Sequence, residues 1–464
     1  MACFIGLDVG TTRAKAGLFT ADGALLALGA CENRAQHSGH AAERPAAAYW
    51  SAARGAIREA LSRSPVPAVE VAGLSVSAQG VTFLAVDSQG SPLGNAIVAH
   101  DERGYEELPA LLAHFSEEEF YLRTGFPHVD RVNDVPKLMW LRKKQSETWG
   151  RLAKLLLVGD YILYRLTGTF AGEPTAWSSA SLFDATTGDW WHAMLDFLQL
   201  SPRQLPAIVT AGSALGEILP EVADELGLPR KLPVVAGTMD QVAAALAVGS
   251  LGEGIVLLSL GTVLAVGATA RRNALRDPRR RVFAYPHALP QATFVFSYSP
   301  TAAIALDWFG ETFFDSAQAN GSQAPALIAL AAHAPPGSDG LTVLPHLMGM
   351  QNPWFRPAAR GVFAGFSLGH GRAHFARALL EGIAYMARDH LQVLSEVGLA
   401  GHTVRAVGGG TRSNLWLQML ADVLNVPLEV PRCREAAALG AAILAAVGSG
   451  YYPDPDQAVS AMCR

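Results

Sequence analysis

Two stretches of this chain share one plan. FIGLDVGTTRAKAGLF (4–19) carries an apolar run into Gly-Thr-Thr and out into a second apolar run. IVLLSLGTVLAVGAT (255–269) does the same about 250 residues later. Apolar runs on both sides of a glycine turn are hairpin signals. A repeated hairpin at this distance predicts two related α/β domains, each begun by one. The length of 464 residues agrees, because a single core stops growing well below it. The boundary falls near residues 245–254, where AVGSLGEG has loop composition.

The rest of the chain reads as strands alternating with helices. ADGALLALGA continues the first hairpin as a third strand. AAYWSAARGAIREALSRS, VPKLMWLRKKQSETW and LLLVGDYILYRLTG each read as a helix, the last closed by Gly168. VAGLSVSAQGVTFLAV gives strand, loop at Ser77–Gly80, and strand. KLPVVAGTMDQVAAALAVGS gives a strand, a Gly-Thr-Met-Asp turn and an alanine-rich helix. In the second half, a helix runs from Ala373 to about Val397, followed by a strand, the GGGTRSN run and another helix. EAAALGAAILAAVGSG closes the chain as a helix of very small residues.

Composition removes several classes of function. A net charge of −5 argues against a nucleic-acid polyanion, and no Lys/Arg block marks a membrane-surface patch. The apolar zone at 254–270 is broken by Gly, Ser and Thr, so it reads as two strands rather than a membrane span. Cys3, Cys31, Cys433 and Cys463 show no metal or CxxC spacing, which suits free thiols in a reducing compartment. The start of the chain has no basic region leading into an apolar one. The expectation is a cytoplasmic protein that binds a small molecule. DPRRR (277–281) reads as a solvated face, and Trp190 and Trp191 as packing residues. Trp308 is evenly balanced between packing and a sugar-stacking role.

The turns carry the chemistry. A glycine turn frees backbone N–H groups for an anion, and its threonines add donors. Gly10-Thr11-Thr12 and Gly261-Thr262 are therefore candidate phosphate loops, one in each half. Each alone is more often only a turn. Asp8, at a strand tip beside the first, suits Mg²⁺, which takes a carboxylate together with phosphate and water. Its plainer use is turn capping. Asp240 ends a strand where a helix begins. It is either an N-cap or a general base for a hydroxyl nucleophile in phosphoryl transfer. The glycine run at 408–410 lets a flat base approach the backbone, with Ser413 or Asn414 at its edge. It is neither a GxGxxG nor a GK[ST] phosphate loop.

Taken together these motifs resemble the FGGY carbohydrate kinases, and most closely their xylulokinase branch. The resemblance rests on GLDVGTT, LLSLGT, AGTMD, GGGTRSNLWLQMLAD, KLMWLRKK, GVFAGFSLGHGRAHFARALLEGIAY and LPHLMGMQNPWFRPAARGVF, in family order over nearly the whole chain. It implies two actin-like ATPase (ribonuclease H-like) domains around a central cleft: residues 1–248, holding sugar and the catalytic aspartate, and residues 249–464, holding nucleotide. It implies ATP and Mg²⁺ as cofactors and transfer of the γ-phosphate to a terminal hydroxyl of a ketose, D-xylulose foremost. L-xylulose, ribulose, gluconate and erythritol are alternatives, and so is a non-catalytic sensor of the same fold. Retention of Asp240 argues against the sensor. A homodimer is compatible with the family.

By position, the resemblance makes Asp240 the base and Asp8 the metal residue. Gly10, Thr11, Thr12, Arg13, Gly261, Thr262, Gly409, Gly410, Ser413 and Asn414 would contact ATP. Gln79, Gly80, Asp101, Arg103, Asp240 and Gln241 would contact the sugar. Departures cluster at the sugar. Ala78-Gln79-Gly80 stands where xylulokinases carry Met-His-Gly, and AHDER where they carry NDGR preceded by tryptophan. GMQNP replaces GERTP.

Overall fold

The computed structural model describes residues 2–273, 275–314 and 322–463. Its frame is two six-stranded sheets of one topology. In the first, Cys3–Val9 pairs antiparallel with Arg13–Thr20, which pairs antiparallel with Leu25–Glu32. On its other side Cys3–Val9 runs parallel to Val71–Ala78, which runs parallel to Pro233–Met239. In the second sheet Gly254–Leu260, Leu264–Ala270 and Thr293–Ser299 form the antiparallel meander. Gly401–Val407 and Leu428–Glu429 then continue in parallel on the far side of Gly254–Leu260. The repeat seen in the two hairpins is thus a repeat of five strands. Each sheet adds one antiparallel edge of its own, Ala214–Glu217 in the first and Phe283–Pro286 in the second.

A smaller five-stranded sheet (36–38, 41–44, 83–86, 96–97, 154–157) caps the first half. It contains the first departure from the sequence reading. Lys154–Leu157 is a strand against Phe83–Val86, and the helix starts only at Val158, ending at the left-handed Gly168. An apolar run such as LLLV has no period to tell a buried strand from a helix, and the open edge of Phe83–Val86 decides it. Likewise 134–151 is two helices, Asp134–Lys144 and Ser146–Arg151, with Gln145 outside helical geometry between them. The Gly-Thr-Met segment is no turn: the strand runs through Met239 and the helix begins at Asp240.

DPRRR is solvated only in its middle, where Pro278 and Arg279 are exposed. Asp277 and Arg281, at its two ends, are buried and joined by an Nε–Oδ2 contact of 2.9 Å. Trp190 and Trp191 are core residues, whereas Trp308 is exposed beside Phe313. Among the described residues no cysteine forms a disulfide.

Apolar cores lie on each sheet, and a further cluster runs across both halves. The small-residue helix Ala436–Gly448 is central to that cluster. It leaves the second half and packs on Cys3–Val9, Val71–Ala78 and Pro233–Met239 of the first sheet, and on the helix Asp240–Ala247. Its composition is what allows this. A Cβ on Gly6 would lie 1.7 Å from Ala438 O, and one on Gly440 would lie 1.9 Å from Ala243 O. Backbones this close leave room only for hydrogen at those two positions.

Candidate active site

Three parallel strands of the first sheet end together. Val9, Ala78 and Met239 are in register across them. The next residues are Gly10, Gln79 and Asp240, so the loops meet outside the carboxyl ends of the strands. That is where open α/β sheets place their ligands. In the second sheet Ser259 pairs with Val407, which sets Gly261 and Gly408 side by side.

Asp240 is the first residue of its helix and does not cap it, since Met239 is the N-cap residue. Its Oδ1 accepts from the Gln241 N–H at 2.6 Å. Burial pushes its carboxyl up to about 6. Asp8 is pushed up to about 7, first by burial and then by the Asp240 charge, against the pull of Lys15 and a Ser77 hydroxyl 3.3 Å away. Two carboxylates thus crowd one half-buried spot. Lys15, cross-strand from Asp8, is drawn to Glu435 at 2.6 Å. A divalent cation fits such a pair, because it removes their repulsion and brings its own water and phosphate ligands.

The first turn is built to face outward. Asn33 occupies the carbonyls of Gly10 (Nδ2, 2.6 Å) and Thr12 (N, 2.8 Å). Thr11, Thr12 and Arg13 are exposed, and among the described residues the N–H groups of Thr11 and Thr12 have no acceptor. In the second turn the carbonyls of Gly261 and Thr262 accept from Ala302, Ala303 and Ile304, at the start of the helix Ala303–Phe313. Thr262 stays exposed. Both turns have the shape of anion cradles.

The glycine run divides its tasks. Gly408 is left-handed (φ +94°) and lies against Leu260 O, and Gly410 packs on Leu260 and Trp416. Gly409 is open, with nothing within 4 Å of a Cβ. Ser413 caps the helix Asn414–Leu424 by accepting from Trp416 N at 3.2 Å, and Asn414 is exposed. Gly409 and Asn414 are therefore the members free to meet a base.

Gln79 is 6% exposed, and its Nε2 donates to Thr82 Oγ1 at 2.9 Å and to Tyr49 OH at 3.3 Å. Among the described residues its buried Oε1 has no partner, and neither has the Oε1 of Gln241 beside Asp240. A buried acceptor left unpaired is costly, so a donor from water or from a bound ligand is favoured at each of these two oxygens. Gly80 sits against Ser179 and Met239, and Val81 follows at φ +54°, strained for a β-branched residue. Asp101 and Arg103 engage each other instead. Arg103 grips both Asp101 oxygens (2.7–3.1 Å), meets Glu43, and stacks 4.2 Å over Trp140. Asp101 also accepts from Ala42 N at 2.9 Å.

Sequence reasoning missed three side chains here. Lys137 is wholly buried, donating to the carbonyls of Val98 and Ala99 (3.1 Å each) and to Asp134 (3.3 Å). It thereby fixes the loop leading to Asp101. The i,i+3 Asp-Lys spacing in DVPK was the available signal. Tyr298 comes from the second sheet. Burial, then the charges of Asp130 and Asp240, push its hydroxyl up to about 12. Gln351, of the altered GMQNP segment, donates to Asp130 at 3.1 Å. Nothing in the sequence marks Tyr298.

Comparison with known proteins follows the same division. The family model "FGGY family of carbohydrate kinases, N-terminal domain" matches residues 3–247, and its C-terminal counterpart matches 256–449. The chain is 32% identical to the xylulose kinase of Escherichia coli K12, over 96% of this chain and 90% of that one. It is 31% identical to the L-xylulose/3-keto-L-gulonate kinase of the same organism, over 97% and 89%. It superposes on the crystal structure of xylulose kinase from Rhodospirillum rubrum with a TM-score of 0.86 at 30% identity, over 99% and 92%.

Proposed function

The chain belongs to the FGGY family of carbohydrate kinases, and from that premise we propose that it phosphorylates D-xylulose at its terminal hydroxyl to D-xylulose 5-phosphate, with ATP as donor. The observation that carries the reading is the pairing of Asp240 and Asp8 at the strand tips, beside the unpartnered carboxamide oxygens of Gln79 and Gln241. The chain's similarity to two xylulose kinases supports the choice of sugar.

In this reading sugar lies on residues 1–248 and nucleotide on residues 249–464. Gln79 and Gln241 accept hydrogen bonds from sugar hydroxyls and hold the acceptor beside Asp240. Asp240 takes the proton of the attacking hydroxyl. A carboxyl near 6 is ionised at neutral pH and basic enough to share a proton in the transition state. Thr11, Thr12 and Thr262 bind the phosphates through N–H and hydroxyl groups, Gly10 and Gly261 shape the two turns with their own N–H groups donated to Arg13 O and Val263 O, and Gly409 and Asn414 border the base. Asp8 would hold Mg²⁺, which when bound neutralises charge on the transferring phosphate. Because little covalent work falls to side chains in phosphoryl transfer, alignment of the two halves supplies most of the effect.

ADP release with Mg-ATP over D-xylulose, L-xylulose, D-ribulose, L-ribulose, gluconate, glycerol and erythritol tests this. D-Xylulose should give the highest kcat/KM. A clear preference for L-xylulose would move the specificity toward the second E. coli relative. Silence across the panel with ATP still bound would sink the proposal.

A further inference from the structure

The Asp240 carboxylate has few anchors of its own. Among the described residues it accepts only from the Gln241 N–H, and no side chain donates to it. Its place is therefore set by its backbone, at the tip of Pro233–Met239. One edge of that strand is paired with Val71–Ala78. The other is not paired to its end: Ala214–Glu217 reaches only Val235, and Ser213 and Gly212 extend the contact to Ala236. The last residues before the base have no ladder on that side.

Thr175 fills the gap. The Met239 N–H donates to Thr175 Oγ1 at 3.0 Å. Thr175 Oγ1 lies 2.8 Å from Thr238 Oγ1, and its own proton goes to Glu173 Oε2. Thr175 has one hydroxyl proton, so Thr238 is the donor of that pair and Thr175 accepts twice. Glu173 Oε2 also accepts from the Thr175 N–H at 3.0 Å, as the cap of the short helix Pro174–Ser179. Glu173, Thr175 and Thr238 are all buried. The far end of the same helix meets the sugar loop, where Ser179 Oγ lies 2.6 Å from where a Gly80 Cβ would be. One helical turn thus touches both the base's strand and the Gln79-Gly80 loop.

We propose that Thr175, anchored by Glu173, is a positioning residue for phosphoryl transfer. It holds the Thr238-Met239 tip so that Asp240 is in line with the acceptor hydroxyl. The inference rests on the reading of Asp240 as base. It differs from a packing role because hydroxyl geometry is what counts. A displacement of order 1 Å at a reacting group costs about 100-fold in rate, while the sugar's binding contacts at Gln79 and Gln241 would remain.

Thr175→Val keeps the branched shape and removes the hydroxyl. The expected result is a kcat at least about tenfold lower, with KM for sugar and for ATP changed less than about threefold. Thr175→Ser should restore kcat to within about threefold of wild type. A kcat within twofold of wild type in Thr175→Val, or an equal loss in Thr175→Ser, overturns the proposal. If Thr175→Val does not fold, Glu173→Gln serves instead, because it preserves volume and removes the charge that orients Thr175. Its kcat should drop with KM unchanged, and an unchanged kcat is the contrary result. Asp240→Asn run in parallel separates the two levels. Turnover in that variant breaks the base assignment itself, whereas loss there with a normal Thr175→Val breaks only the positioning role.

Discussion

Asp240 and Asp8 share one partly desolvated corner, and its consequence is a pH dependence with a definite sign. The base must be ionised to accept a proton, and burial places it near 6. In pre-steady-state measurements of the chemical step, the rate should rise with pH through about 6 and level off above. A rate independent of pH from 5 to 8 would contradict the base role. At the sugar, Gln79→His restores the residue usual in xylulokinases. A neutral imidazole carries its donor and acceptor on two ring nitrogens, not side by side on one carbon as in a carboxamide, so the relative kcat/KM for two sugars should shift by about tenfold or more while KM for ATP stays constant. Competition between D- and L-xylulose reads this directly. Asp8 could be singled out in the sequence from its place before a Gly-Thr-Thr turn, Asp240 from the junction of a strand and a helix, and Gln79 through the family resemblance alone. Tyr298 and the mutual grip of Asp101 and Arg103 could not, because each depends on a neighbour far away in the chain or on a loop's final path.

At the scale of elements, close backbone approach and buried charge set the tolerances. Gly6→Ala places a Cβ 1.7 Å from Ala438 O, and neither strand nor helix can yield without losing its ladder. A loss of about 3 kcal/mol or more in urea unfolding is expected. Gly440→Ala, against Ala243 O, should behave alike. Asp160 gives a second test. It is buried at the start of the helix Val158–Thr167, accepting from Leu157 N and Trp177 Nε1, and burial pushes it up to about 8. A folded value above the unfolded one means that the folded state binds the proton more tightly. Stability is then highest below the unfolded value and is lost as pH rises toward 8. The Asp160 contribution to wild-type Tm should fall as pH rises from about 4 to 8 and level off above that, and Asp160→Asn, which keeps the shape without the charge, should flatten that slope. Identical slopes would refute the burial argument. The hairpins, the long helices and the small-residue helix could be read from periodicity and turn chemistry. Lys154–Leu157 and the buried ends of DPRRR could not, since a short apolar run fits two structures and a charged run is solvated only until a counter-charge is folded against it.

For the whole molecule, the repeat visible in two hairpins predicted two like sheets, and five strands of each do repeat. What the repeat did not show is how the halves interlock. The small-residue helix Ala436–Gly448 lies on the sheet of the first half, and it does not close the chain as the sequence suggested, since the helix Pro455–Met462 follows it. Arg276 reaches the carbonyls of Tyr121 and Leu122 at 2.9 and 3.0 Å, and Gln351 reaches Asp130. These contacts join segments more than 150 residues apart, beyond any local pattern. Among the described residues no helix is long and apolar enough to cross a membrane. The central claim is that this cleft transfers phosphate to a sugar with Asp240 as the base. The most direct test is D-xylulose-dependent ADP release by wild type and Asp240→Asn at saturating Mg-ATP, with ATP binding followed by titration. The account predicts sugar-stimulated turnover in wild type, a loss of about a thousandfold or more in the variant, and unchanged ATP affinity. Near-normal turnover in Asp240→Asn would contradict it.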